Sequence, residues 1–211
     1  MDDIILDDEK YYIRNLINDC CIARVPKNSR ELPSLEGNGY YVWQFYLRRA
    51  LLNPDCLNTI CKDFWHRFEA TFLEEPFQLA GVEAAAVPMI TAILLDGKRR
   101  GHNVNAFTIR KERKAYGKRN IIEGTPSDAP VLFVDDLSSP QHNAFWHGVS
   151  AIGSAQLRLY RKSYVVVLKR KDMRSEIIDT SIGATEMLSM FNLDDFSLTR
   201  EEYENEKYNR Q

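Results

Sequence analysis

From Phe77 onward the chain repeats a pattern that few architectures accommodate: a short apolar run, a helical stretch or polar loop, then another apolar run. "FQLAG" (77–81), "VNAFTI" (104–109), "PVLFVDD" (130–136) and "YVVVLK" (164–169) read as strands, with "GATEMLSMF" (183–191) as a further one. Between them, 83–100 and 141–153 carry apolar residues at helical spacing. Near-continuous apolar strands that alternate with helices are buried on both faces. The pattern predicts an α/β fold with a mainly parallel central sheet flanked by helices.

Ahead of this core, 3–25 carries helical spacing (Ile4, Ile5, Tyr12, Ile13, Leu16, Ile17), and 26–39 is punctuated as a loop by Pro, Gly, Ser and Asn. An aromatic stretch from Tyr40 reads as strand, then helix. A longer helix begins near Pro54, where proline suits a first turn, and ends before Pro76. The expected organisation is an N-terminal helical and aromatic segment at 1–53, a core at 54–196 and a charged tail at 197–211. A chain of 211 residues with net charge −2 can bury one core and has no global push toward nucleic acid or acidic membranes. No apolar run approaches the roughly 20 residues that span a bilayer, and "MDDIILDDEK" lacks the features of a signal peptide. A cytoplasmic protein is expected. Cys20, Cys21, Cys56 and Cys61 form no C-x-x-C and read as reduced thiols, and the four histidines show no metal-ligand spacing.

Three stretches could carry chemistry. Asp135 and Asp136 end the third apolar run. At the C-terminal end of a parallel strand, such acids suit the hydroxyls of a ribose; a helix cap plus a surface charge is the plainer alternative. Between Lys98 and Arg119 stand nine Lys and Arg against Asp96 and Glu112. That field suits polyphosphate or nucleic acid, or is a solvated charge run. Its aromatics, Phe107 and Tyr116, are few for a base-stacking platform, so nucleic acid is the lesser reading. In "AGVEAAAVP" (80–88), Gly81 and small residues permit close approach of a ligand, or equally of another segment.

The order of these pieces, strand–"AGVEAAAVP"–helix, then "RKERKAYGKRNIIEG", then "VLFVDD", resembles the type I phosphoribosyltransferases of the orotate group, from about Phe77 to Asp172. The most specific element is R-K-x-x-K-x-x-G followed by I-E-G: Arg110, Lys111, Lys114, Gly117 and 122–124. The resemblance implies a fold of that type with an N-terminal hood. It also implies transfer of a phosphoribosyl group from 5-phosphoribosyl-1-diphosphate to a nitrogenous base, orotate-like, with Mg²⁺ held mainly through substrate and a homodimer as the assembly. Lys114 would be the principal transition-state cation, supported by Arg110 and Lys111. Asp135 and Asp136 would hold the ribose hydroxyls. Gly81, Val82, Glu83, Ala84 and Ala85 would form the diphosphate loop, and Arg170 would contact an acidic base.

The sequence departs from that family at three places. Its 5′-phosphate loop reads approximately Thr-x-Gly-[Thr/Ser], where this chain has Ser139, Pro140, Gln141 and His142. Proline deletes a donor and no glycine remains, leaving Ser138, Ser139, Gln141 and His142 as side-chain donors. Tyr116 stands for a loop histidine, and Ala85 for a lysine. The alternative these departures imply is an altered phosphoribosyltransferase fold that senses a nucleotide or binds a protein partner.

Overall fold

The computed structural model describes residues 7–26, 32–33, 40–112 and 120–209. Ile4 and Ile5 of the expected first helix, most of the 26–39 loop, and residues 113–119 of the basic stretch lie outside the described residues.

The chain opens with α1 (Asp7–Cys20), followed by β1 (Ile22–Arg24), β2 (Leu32–Pro33), β3 (Tyr40–Tyr41), β4 (Trp43–Phe45) and the short α2 (Arg48–Leu51). β1 pairs antiparallel with β4, and β2 with β3. Next comes α3 (Pro54–Glu74). Asn53 caps it by accepting from the Asp55 and Cys56 amides at 2.9 and 3.1 Å. Pro54 fits the first turn, where an amide hydrogen has no helical partner.

The core then runs β5 (Gln78–Val82), α4 (Ala86–Arg99), β6 (Asn105–Ile109), β7 (Ile122–Gly124), β8 (Val131–Ser138), α5 (Asn143–Ser154), β9 (Lys162–Leu168), β10 (Ser175–Ile178) and β11 (Thr185–Asn192). A 3-10 turn at Leu193–Asp195 leads to α6 (Arg200–Asn209). The seven-stranded sheet has the order β10-β11-β9-β8-β5-β6-β7. Its five central strands are parallel, and β7 and β10 add antiparallel edges. The expected α/β fold is present.

The alternation along β8 shows why its apolar run is unbroken. Leu132 and Val134 join the cluster under α1, α3 and α4, whereas Val131 and Phe133 join the cluster under α5. Both faces are covered, so every position is apolar until the acids. α3 is also tied to β9: the Tyr164 hydroxyl donates to Asp63 at 2.8 Å, and Arg67 holds the same carboxylate.

Four strands differ from the sequence expectation. β1 takes the end of the 3–25 stretch read as helix, and β2 lies within the 26–39 stretch read as loop. The 110–129 stretch, in which no strand is expected, contains β7, paired with β6 through Ile109↔Ile122. β10 was likewise not expected. β7 and β10 are short edge strands without an apolar run, and pairing with a neighbour, rather than local pattern, creates them. β8 also continues past the acids to Ser138.

β5 and β8 pair only from Gln78↔Val131 to Ala80↔Phe133. Beyond that point the chain leaves β5 toward β6 on one side and returns to β8 on the other. This is a topological switch point, where open α/β sheets bind ligands at the carboxyl ends of their strands. Gly81 holds the two strands close, because a β-carbon there would collide with the Val134 carbonyl oxygen and with Ala86 Cβ. Gly81→Ala is expected to lose about 1–3 kcal/mol of stability, as overpacking against backbone does. Urea denaturation measures it, and an unchanged midpoint would contradict the packing role.

Candidate functional site

The strands part into a cleft of about 690 Å³. One wall is the turn after β5, Val82 to Ala85, whose Glu83–Ala84 peptide is cis. The floor is the end of β8 from Asp135 to Ser138 with Ser139 just beyond it, and the far end is His142 to Phe145 at the start of α5. The hood supplies the roof: Trp43 to Arg49 line it, together with Lys169 from the end of β9.

Asp135 is 5% exposed and Asp136 half-buried, and the Asp136 amide donates to Asp135 Oδ1 at 2.9 Å. Burial pushes the Asp135 carboxyl well above its ordinary range, the adjacent Asp136 pushes it further, and Lys111 opposes both. Burial also raises Asp136, opposed by the Asp135 hydrogen bond and by the Arg48 guanidinium. Two neighbouring carboxyls are thus held at a cleft, each facing a cation from a different element. That arrangement suits a ligand whose hydroxyls replace the lost water. The reading of the pair as a helix cap does not hold: both residues lie inside β8, and α5 begins at Asn143.

The basic stretch is divided. Lys98 and Arg99 occupy the last turn of α4, and Arg100 caps its end while pairing with Asp96 at 2.8 Å. Cations there complement the helix dipole, about 20 Å along the helix from its cleft end. Arg110 closes the stem of a hairpin between β6 and β7. Its amide donates to the Ile121 carbonyl at 2.8 Å, and its guanidinium lies 3.3 Å from Glu123 and 4.0 Å from Glu83. Lys111, one residue on, lines the cleft. Lys114, Tyr116 and Gly117 lie outside the described residues.

The cleft therefore gathers Val82, Glu83, Ala84, Ala85, Lys111, Asp135, Asp136, Ser138, Ser139 and His142 from the expected set. Four expected residues do not line it. Gly81 packs β5 on β8, Arg110 belongs to the hairpin stem, and Gln141 is exposed. Arg170, expected against an acidic base, is held by Glu176 at 3.0 Å, and its neighbour Lys169 lines the cleft. The roof residues Trp43, Tyr46 and Arg48 were not anticipated. The aromatic density of 40–46 was their only signal in the sequence.

No protein-family model and no curated protein matches the chain. Solved structures do. A phosphoribosyltransferase from Corynebacterium diphtheriae superposes with TM-score 0.64 at 21% identity, covering 89% of this chain and 98% of that one. The Mycobacterium tuberculosis H37Rv orotate phosphoribosyltransferase in complex with Fe(III) dicitrate gives 0.63 at 20%, with the same coverage. The M. tuberculosis enzyme in complex with 5-phospho-alpha-D-ribosyl 1-diphosphate gives 0.55 at 18%, covering 90% and 92%. The fold is that of the type I phosphoribosyltransferases.

The acid pair has a thermodynamic signature. Asp135 is raised above its ordinary 3.8, so the folded protein binds that proton more tightly than the unfolded chain does. Its contribution to stability is complete below the ordinary value and is lost as pH rises through the raised one. Asp135→Asn should therefore match the parent near about pH 4 and exceed it in Tm near about pH 7. Thermal melts across that range test this; a variant less stable at neutral pH would show that the carboxylate is structural.

Proposed function

We propose that this chain is a phosphoribosyltransferase-like protein that binds 5-phosphoribosyl-1-diphosphate across the cleft and transfers the phosphoribosyl group to a nitrogenous base, orotate-like. One observation carries the reading: an acid pair, Asp135 buried and Asp136 half-buried, at the switch point between β5 and β8, in a cleft that Lys111 and Arg48 also line. The superposition on a solved complex with that ligand supports it.

Asp135 and Asp136 take the ribose hydroxyls. The Glu83–Ala85 turn and Lys111 take the diphosphate, and Lys114 from the hairpin adds the cation that matters most as the leaving oxygen gains charge. Arg110 holds the hairpin stem. Because Arg170 is occupied by Glu176, the acceptor base falls to the roof, beside Trp43 and Lys169. No cluster of three or more His, Cys, Asp or Glu among the described residues is arranged to hold a metal. Mg²⁺ enters this reading as the counter-ion of the diphosphate, held by substrate oxygens, where it neutralises leaving-group charge. Loss of diphosphate leaves a cationic sugar and an anionic oxygen. Fixed cations in a site shielded from water stabilise that separation without reorganising. Homodimer formation and a cytoplasmic location belong to this reading as well; among the described residues no helix is long and apolar enough to cross a membrane.

A second reading, a nucleotide-sensing or partner-binding module on the same fold, is favoured by the β8–α5 loop. Pro140 has no amide hydrogen, and the His142 amide is bonded to the Ser139 carbonyl at 2.9 Å. Little backbone is left there to wrap a phosphate.

Calorimetry with 5-phosphoribosyl-1-diphosphate and Mg²⁺ should show binding, weakened by about 2 kcal/mol or more in the Asp135→Asn, Asp136→Asn double variant, the scale of charge-assisted hydrogen bonds. Lys114→Ala should lower turnover with orotate far more than affinity. Binding without turnover of any base would select the sensing reading. No binding by the parent protein would reject the transfer reading and leave the partner-binding one.

A further inference from the structure

The far end of the cleft carries a side-chain network that the roles above leave unused. Ser138 Oγ lies 2.6 Å from His142 Nδ1. His142 Nε2 lies 3.2 Å from Glu176 Oε2, an ion-pair contact without hydrogen-bond alignment. Glu176 Oε1 in turn holds Arg170 at 3.0 Å. Ser138 and His142 are 4% and 6% exposed, and both border the cleft. The groups that face the imidazole are thus Ser138 from β8, Glu176 from β10, Arg170 behind Glu176 from the turn after β9, and the apolar Phe145 ring from α5.

What each partner can do assigns the protons. A carboxylate only accepts, so the nitrogen that faces Glu176, Nε2, carries the hydrogen of the neutral ring. Nδ1 is then an acceptor and receives a hydrogen bond from the Ser138 hydroxyl. In that state Ser138 Oγ turns only lone pairs toward the cleft, and these repel an oxyanion. A proton added at Nδ1 reverses the polarity. The imidazolium donates to Oγ, and the hydroxyl hydrogen is released to point into the cleft. A unit positive charge appears beside it, at the start of α5, where the helix dipole already favours anions.

We propose that Ser138, His142 and Glu176 form a proton-coupled oxyanion subsite, in which a phosphate or sulfate group binds together with one proton taken up by His142. The subsite deepens the phosphoribosyl reading, and its assignment to the 5′-phosphate rests on that reading. The proton coupling itself follows from the network alone.

Sulfate is the probe that separates the two, because it does not titrate near neutral pH and presents no ribose. In calorimetry on the full chain between about pH 5.5 and 8.5, sulfate affinity should fall by about tenfold or more as pH rises. Parallel runs in buffers of different ionisation enthalpy should report uptake of close to one proton. His142→Asn should bind weakly and independently of pH; asparagine is chosen because His142 has φ 50 and ψ 36, a left-handed backbone that Asn adopts readily. Glu176→Gln should weaken sulfate binding at the acid end, since the imidazolium loses its carboxylate. The Asp135→Asn, Asp136→Asn variant should keep the pH dependence. The proposal is overturned if the parent protein binds no sulfate at the acid end, if its binding ignores pH, or if His142→Asn retains the same dependence. If the coupling holds with sulfate while 5-phosphoribosyl-1-diphosphate fails to bind, only the phosphoribosyl reading is lost.

Discussion

The early end of the β5–β8 pairing governs this molecule. Three register pairs join the strands, and past Ala80 and Phe133 they separate around the Gly81–Val134 contact. Two carboxylates are left in the opening, Asp135 buried and Asp136 half-buried, and burial works against the charge of both. A lone site of this kind would not form, because a buried carboxylate without partners is costly. It forms because the rest of the sheet is sealed by apolar layers on both faces, whose burial outweighs the local penalty. The opening is therefore a place where the fold carries a cost that the hydroxyl donors of a ligand can relieve.

The roof depends on the two chain ends meeting. Arg24 of β1 donates to the Ser197 carbonyl at 2.7 Å and to the Asn18 carbonyl at 2.8 Å, and its guanidinium stacks on Tyr203 of α6 at 4.2 Å. Glu206 of α6 gathers Arg14, Asn18 and Ser197. The Phe45 ring packs edge-on against Phe196, and Lys169 sits 5.2 Å from the Trp43 ring. The C-terminal helix, whose charge pattern alone suggests a solvated tail, thus fastens the segment that covers the cleft. Geometry at Trp43 and Arg48 is linked to residues more than a hundred positions away in the chain.

What was legible in the sequence follows from this. Strands buried on both faces announce themselves as apolar runs, so β5, β6, β8, β9 and β11 could be read locally. The acids stood out because nothing apolar explains them. β7 and β10 could not be read: they exist through one hydrogen-bonded neighbour each. The destination of an arginine was equally hidden. Arg170 and Lys169 are adjacent and both cationic, and which of them lines the cleft is decided by Glu176, a residue of an edge strand that the sequence does not mark. The basic stretch misled for the same reason, since a charge run carries no sign of where α4 ends and the hairpin begins.

The loop after β8 shows how a site can change its chemistry while its scaffold stays fixed. A phosphate cradle built on glycine uses backbone amides, which donate at every pH and need a permissive backbone. In this chain the left-handed position falls on His142, a conformation that costs a non-glycine residue about 1 kcal/mol. The Ser138 hydrogen bond and the Glu176 contact hold the imidazole in that conformation. The exchange is not neutral, because side-chain donors of this kind depend on protonation and backbone donors do not. A ligand that meets backbone amides is bound by geometry alone. A ligand that meets Ser138 and His142 is bound by geometry and by the availability of a proton, so the same opening between β5 and β8 acquires a dependence on pH that glycine would not have given it.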